Sequence, residues 1–333
     1  MAPMWCRRRN RARGRGWTLL LLGVVTLWGG GAALAAPVVD PARFEGTGWA
    51  PFARAAAAIR ARPGGRVSAV CWSTATVSAR ELQQLADAGF TEIILDGHAV
   101  GEGTVSEAAV ADCALAAAQA GLISVKFVRG APDWATSHQD DALRKVTALA
   151  GRLLTIRARL VAQGHPEAAA LVRGILVNVE PYADPAWQFD WSRYVQLHDA
   201  LQARLAAQGL SYETFDAFWI GDPVHESGHP MTGYRVTPAR TSYLMTYRTE
   251  GSRAFAIAEP LATRIPHVAG FDLVEGPPVG FRGVPSALPL AVAEYVDRAL
   301  QAPSRAGCLG IFVHASSVRQ LLAAVDASAR PAT

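Results

Sequence analysis

From Arg66 onward the chain alternates short apolar runs with longer stretches whose apolar residues recur at helical spacing, and the alternation persists to residue 328. The runs at 66–72, 91–98, 123–130, 171–182, 215–221, 241–248, 268–276 and 309–315 read as strands. The stretches 78–88, 105–120, 141–163, 191–208, 255–263, 288–300 and 318–325 read as helices. Strands separated by helices pair as a parallel sheet rather than as hairpins. Eight such units over about 250 residues predict an α/β fold, a closed (β/α)8 TIM barrel over residues 66–328. The fifth unit is the weakest, because no helical period separates Trp219 from Ser242.

At the centre of this pattern lies LVRGILVNVEPY, Leu171–Tyr182, an apolar run with a polar tip. Its continuous hydrophobicity suits a strand buried on both faces. Leu176, Asn178 and Glu180 share one side of such a strand, with Glu180 where the strand meets its loop. Ahead of the barrel, residues 37–65 read as a short lead-in with one Ala-rich helix over 51–62, stopped by Pro63-Gly64-Gly65.

The formal charge of +4 reflects six arginines between Arg7 and Arg15, and without them the remainder is slightly acidic. No basic footprint for nucleic acid is left. Those arginines precede WTLLLLGVVTLW, a Gly run and Ala33-Leu34-Ala35, the pattern of a signal peptide over residues 1–36. The expected destination is the periplasm or the exterior, with no stable membrane insertion after cleavage. An uncleaved anchor is the alternative, since Trp17 to Leu34 approaches spanning length, although Gly29 to Gly31 counts against it. Cys71, Cys113 and Cys308 remain, an odd number that permits at most one internal disulfide and has no metal spacing. No phosphate loop or GxGxxG spacing occurs, so neither a cofactor nor a metal is expected.

In a barrel, residues at the strand tips converge on one mouth. The tips here are Trp72, Asp96 with His98, Lys126 with Arg129, Asn178 with Glu180 and Tyr182, Trp219 with Asp222, Tyr247 with Arg248, Glu275, and His314. Simple structural roles compete for some of them. Asp96 suits a helix cap, and His98 and His314 suit satisfied core histidines. Glu180 and Glu275, on tips four and seven, are expected to face one another. Paired carboxylates are what glycoside cleavage requires, one to protonate the leaving oxygen and one to attack or to activate water.

NVEP (178–181), MTYR (245–248) and DLVEG (272–276) together resemble a divergent (β/α)8 glycoside hydrolase of the large retaining clan. The resemblance implies that Glu180 is the acid/base, that Glu275 is the nucleophile and that Tyr247 stands beside it. It also implies a polysaccharide or oligosaccharide ligand, with Trp72, Asp96, His98, Lys126, Asn178, Tyr182, Trp219, Arg248 and His314 lining its groove. The clan has Asn directly before its acid/base, whereas Val179 intervenes here. Chitinase-like barrels offer a second resemblance. Leu176, Asn178 and Arg248 then replace their acids, and Tyr247 fits both alignments.

The tryptophans Trp72, Trp134, Trp187, Trp191 and Trp219 fall at tips or just after them, which predicts stacking faces for sugar rings. One motif points elsewhere. His225-Glu226-Ser227-Gly228-His229 has zinc-peptidase spacing, but Pro223 and Pro230 bracket a stretch too short for a helix. A non-catalytic barrel that binds a glycan or a protein is the further alternative, motivated by the missing acids around Asn178.

Overall fold

The computed structural model describes residues 40–184, 191–217, 241–262 and 266–330. Eight parallel strands close into a barrel in sequence order. They are β1 (Arg66–Cys71), β2 (Glu92–Asp96), β3 (Ser124–Arg129), β4 (Val172–Asn178), β5 (Ser211–Ala217), β6 (Thr241–Met245), β7 (His267–Asp272) and β8 (Cys308–Ala315). Closure is made by β8 returning to β1, with Val70 opposite His314. The outer layer contains α1 (Ala50–Arg60), α2 (Ala79–Asp87), α3 (Gly97–Glu102), α4 (Glu107–Gln119) and α5 (Gln139–Ala162). It continues with α6 (Pro166–Leu171), α7 (Trp191–Ala206), α8 (Gly251–Ala262), α9 (Leu288–Gln301) and α10 (Val318–Ala329). Among the described residues no helix is long and apolar enough to cross a membrane.

The expected (β/α)8 barrel is therefore present, with local corrections. The fifth strand begins at Ser211, four residues before the expected 215, and the expected 218–221 lies outside the described residues. The polar start of this strand is accommodated because Glu213 points into the barrel, where cations meet it. The helices α3 and α6 were not anticipated, and Leu171 ends α6 rather than opening β4. The lead-in packs into the body of the fold. Trp49 and Phe52 are fully buried, and the Trp49 indole N–H donates to the Ala88 carbonyl at 3.1 Å. Cys71, Cys113 and Cys308 are all buried free thiols. The expected signal segment 1–36 lies outside the described residues.

Side chains alternate across each strand, so half of every strand faces the barrel axis. One residue per strand builds the middle layer: Val70, Ile94, Val128, Leu176, Phe215, Tyr243, Val268 and Phe312, all buried. Burying each such side chain contributes roughly 1.5–3 kcal/mol. Below this layer, toward the strand starts, the interior is ionic. The Lys126 ammonium sits 2.7 Å from Glu92 Oε2 and 2.5 Å from Glu213 Oε2, and donates to the Tyr243 hydroxyl at 3.2 Å. Tyr243 in turn donates to Glu92, Ser68 donates to Glu92 at 2.8 Å, and Arg66 holds Glu213 at 2.5 Å. Burial opposes the charge on Glu92, but Lys126 and Arg66 outweigh it and pull the carboxyl down to about 2.

Lys126 is thus corrected from mouth to floor. Its side chain is almost wholly buried and engaged by three partners beneath the apolar layer. Arg129 also leaves the mouth. Adjacent to inward Val128, it faces out of the barrel and donates to the Gly97 and His98 carbonyls and to Glu102.

Candidate active site at the barrel mouth

Above the apolar layer, the tips of β1, β4, β6, β7 and β8 bring together Trp72, Asn178 with Glu180, Tyr247, Asp272 and His314. Asp272 is the last residue of β7 and shares parity with inward Val268. Its carboxylate accepts the Val274 and Glu275 backbone N–H groups, each at 2.9 Å, and lies 2.8 Å from His314 Nδ1. An ionised carboxylate can only accept, so Nδ1 carries the proton in this contact. Burial works against the charge on Asp272. The bonds from His314, Val274 and Glu275 prevail and hold its carboxyl below the usual carboxylate range.

Glu275, expected as the facing carboxylate, is exposed and stands three residues beyond the end of β7. The cause is local. Asp272 captures the next two free amides in an Asx-type turn, which ends the strand before Pro277-Pro278. The inward acid of tip seven is therefore Asp272, one turn earlier than the sequence suggested. Strand parity with Val268 was the signal that could have found it.

On β4, Asn178 ends the strand and Glu180 caps a short 3-10 turn over Pro181–Ala183. Asn178 Nδ2 donates to Glu180 Oε1 at 2.8 Å. The strand tips approach closely here. A Cβ at Gly130 would strike the Asn178 carbonyl, so only glycine lets the end of β3 pass. Tyr182 belongs to the same turn, and its side chain lies outside the described part of the structure.

Tyr247 stands within electrostatic reach of both carboxylates. Its hydroxyl pKa is pushed well above the ordinary value, first by burial and then by the charges of Asp272 and Glu180. It is therefore a neutral donor standing within the field of both acids. The ring stacks on His314, with centroids 5.9 Å apart and planes 14° from parallel. Trp72 meets His314 edge-on at 5.7 Å and leans on Phe215 at 5.2 Å. Among the described residues, two polar atoms at this mouth are buried without a hydrogen-bond partner, the Trp72 indole Nε1 donor and the Asn178 Oδ1 acceptor. Buried polar groups are almost always satisfied, so such a pair marks where a ligand's own donors and acceptors would be engaged.

The remaining expected residues divide. Asp96 caps α3, accepting the His98 N–H at 2.7 Å, and His98 is exposed on that helix. Arg248 is half-buried and donates to the Tyr247 carbonyl at 2.7 Å. Trp134 and Trp191 are only 1% exposed, so they are packing residues and not stacking faces. Trp187, Trp219, Asp222 and the His225–His229 motif lie outside the described residues. A Schiff base would need a lysine at the mouth. The chain has only Lys126, on the floor, and Lys145, which pairs with Asp141 on α5.

The chain matches no protein-family model and no curated protein. Among solved structures it is similar to a GH18 chitinase from Pseudoalteromonas aurantia, at 12% identity over 80% of this chain and 100% of that one, TM-score 0.48. It is similar to GH26C from Muricauda sp. MAR_2010_75, at 11% identity over 86% of this chain and 94% of that one, TM-score 0.45. It is also similar to QR15, an aldolase, at 12% identity over 79% and 94% respectively, TM-score 0.40. Such barrels host unrelated reactions, so the chemistry has to be read from this chain's own side chains.

Proposed function

We propose that the barrel mouth is the site of an exported glycosidase acting on a polysaccharide or oligosaccharide. Glu180 is the proton donor to the leaving glycosidic oxygen, and Asp272 is the anionic partner, in place of Glu275. The observation that carries this reading is a pair of acids at one mouth, Glu180 bonded by Asn178 at 2.8 Å and Asp272 by His314 at 2.8 Å, with Tyr247 in electrostatic reach of both. Asp272 is held ionised, which suits attack on the anomeric carbon or activation of water and excludes it as the proton donor. Bond cleavage transfers the Glu180 proton to the departing oxygen. The attacking water gives its hydroxide to the anomeric carbon and its proton either to Asp272 acting as base or, where Asp272 has first formed a glycosyl ester that water displaces, back to Glu180. The buried Trp72 donor and Asn178 acceptor suit the hydroxyl groups of a pyranose.

The test is hydrolysis of a panel of cell-wall and exopolysaccharide glycans. Glu180→Gln should lower turnover by about 10²–10⁴-fold with an unchanged melting temperature. Glu275→Gln, on the exposed loop, should stay within about twofold, because surface substitutions away from a site have small effects. Undiminished turnover in the Glu180 variant would remove the assignment. Glycan binding without hydrolysis by the wild-type chain would instead favour the non-catalytic barrel, for which Leu176 and Asn178 in place of acids is the motive.

A further inference from the structure

At the end of the barrel opposite Tyr247, the strand starts surround an open depression of about 340 Å³. Arg66, Ser124 and Ser211, the first residues of β1, β3 and β5, line it. Ser124 is 3% exposed, and its hydroxyl oxygen is buried without a hydrogen-bond partner. The Ser211 hydroxyl is likewise buried and unpartnered. By strand parity both point inward, Ser124 below Lys126 and Ser211 below Glu213. Gly174 pairs with Ser211 across β4 and β5, and a Cβ there would strike the Ser211 hydroxyl. Its absence leaves that hydroxyl room.

Charge in the lining is one-sided. Leaving Arg60 aside, four cations, Arg62, Arg66, Lys126 and Arg173, face two carboxylates, Glu92 and Glu213. Both carboxylates are already engaged by Lys126 and Arg66. The Arg62 guanidinium bonds only neutral carbonyls, those of Cys308 at 2.6 Å and of Arg305. Arg173 is exposed at the rim, and its charge adds to burial in lowering the pKa of nearby Arg157. Water would satisfy the two hydroxyls but not the excess positive charge. A ligand rich in anionic acceptor oxygens satisfies both at once.

We propose that this depression is a second binding site, separate from the mouth, for a phosphoryl-bearing small molecule. The Ser124 and Ser211 hydroxyls donate to its oxygens, and Arg173 with Arg62 balances its charge. Its volume exceeds one phosphate group and admits a diphosphate.

The probe is inorganic pyrophosphate, titrated into the purified chain by calorimetry at constant ionic strength, with inorganic phosphate and chloride as comparisons and thermal melts in parallel. Saturable one-to-one binding is expected, with a melting temperature that rises with pyrophosphate and not with chloride. Ser124→Ala combined with Ser211→Ala deletes two unpartnered hydroxyls, so without ligand it should melt no lower than wild type. Its affinity for pyrophosphate should nevertheless fall tenfold or more, and Arg173→Gln should lose at least fivefold. Should the double variant fail to fold, the exposed Arg173 variant decides. The proposal is overturned if no saturable heat appears at millimolar pyrophosphate. Equal affinity in the variants overturns it too, and would identify an adventitious ion only.

Discussion

Replacing Lys126 with methionine should cost the barrel about 3–5 kcal/mol of stability, the penalty for stripping the partner from a buried ion pair. The reason is that Glu92 and Glu213 both aim at this one ammonium from opposite sides of the floor. Glu213 keeps its ion pair with Arg66, whereas Glu92 keeps the hydroxyls of Ser68 and Tyr243 and only the more distant charge of Arg66. Adding Glu92→Gln should therefore restore part of the loss, since an amide oxygen still accepts from both hydroxyls and no charge is left unpaired. Urea denaturation of the two single variants and the double variant measures the coupling. Simple additivity of the two changes would contradict the network.

The same group sets the acid limit. Glu92 ionises at about 2 in the fold against an ordinary 4.5, so its contribution to stability is complete above about 4.5 and is lost as pH falls toward 2. Glu92→Gln should flatten the stability profile across that window.

Asp272→Asn should reduce turnover by at least about 10²-fold if the mouth cleaves glycosides as proposed, because the change removes the ionised partner of Glu180 while preserving its shape. The pH profile of kcat/KM carries the sharper test. With Asp272 held below the usual carboxylate range, the acidic limb due to its protonation should lie below that of an ordinary carboxyl. His314→Gln replaces a ring that can carry charge with a neutral amide, so that limb should move upward. An acidic limb unaffected by the His314 change would assign it to another group.

Much of the architecture was legible because hydrophobic periodicity is a local property. Runs such as RVSAVC and CLGIFVHA announce buried strands wherever they occur. The start of β5 is not legible in the sequence, because a polar Glu213 in an apolar interior is intelligible only once Arg66 and Lys126, 147 and 87 residues away, are beside it. The candidate site was half legible. Glu180, Asn178, Tyr247, Trp72 and His314 were all expected at the mouth, and they are there. Glu275 was preferred to Asp272 because the strand was read through to residue 276, and a two-amide turn at Asp272 stops it sooner.

The alternation of strands with the main helices, the α/β class and the polar character of the tips belong to the sequence by itself, since each follows from side-chain spacing within a dozen residues. Which acid of DLVEG turns inward, which lysine lies on the floor and which tryptophans are merely core belong to the tertiary structure. Those outcomes depend on where hydrogen bonding ends a strand and on partners far along the chain, and neither is written in any local pattern.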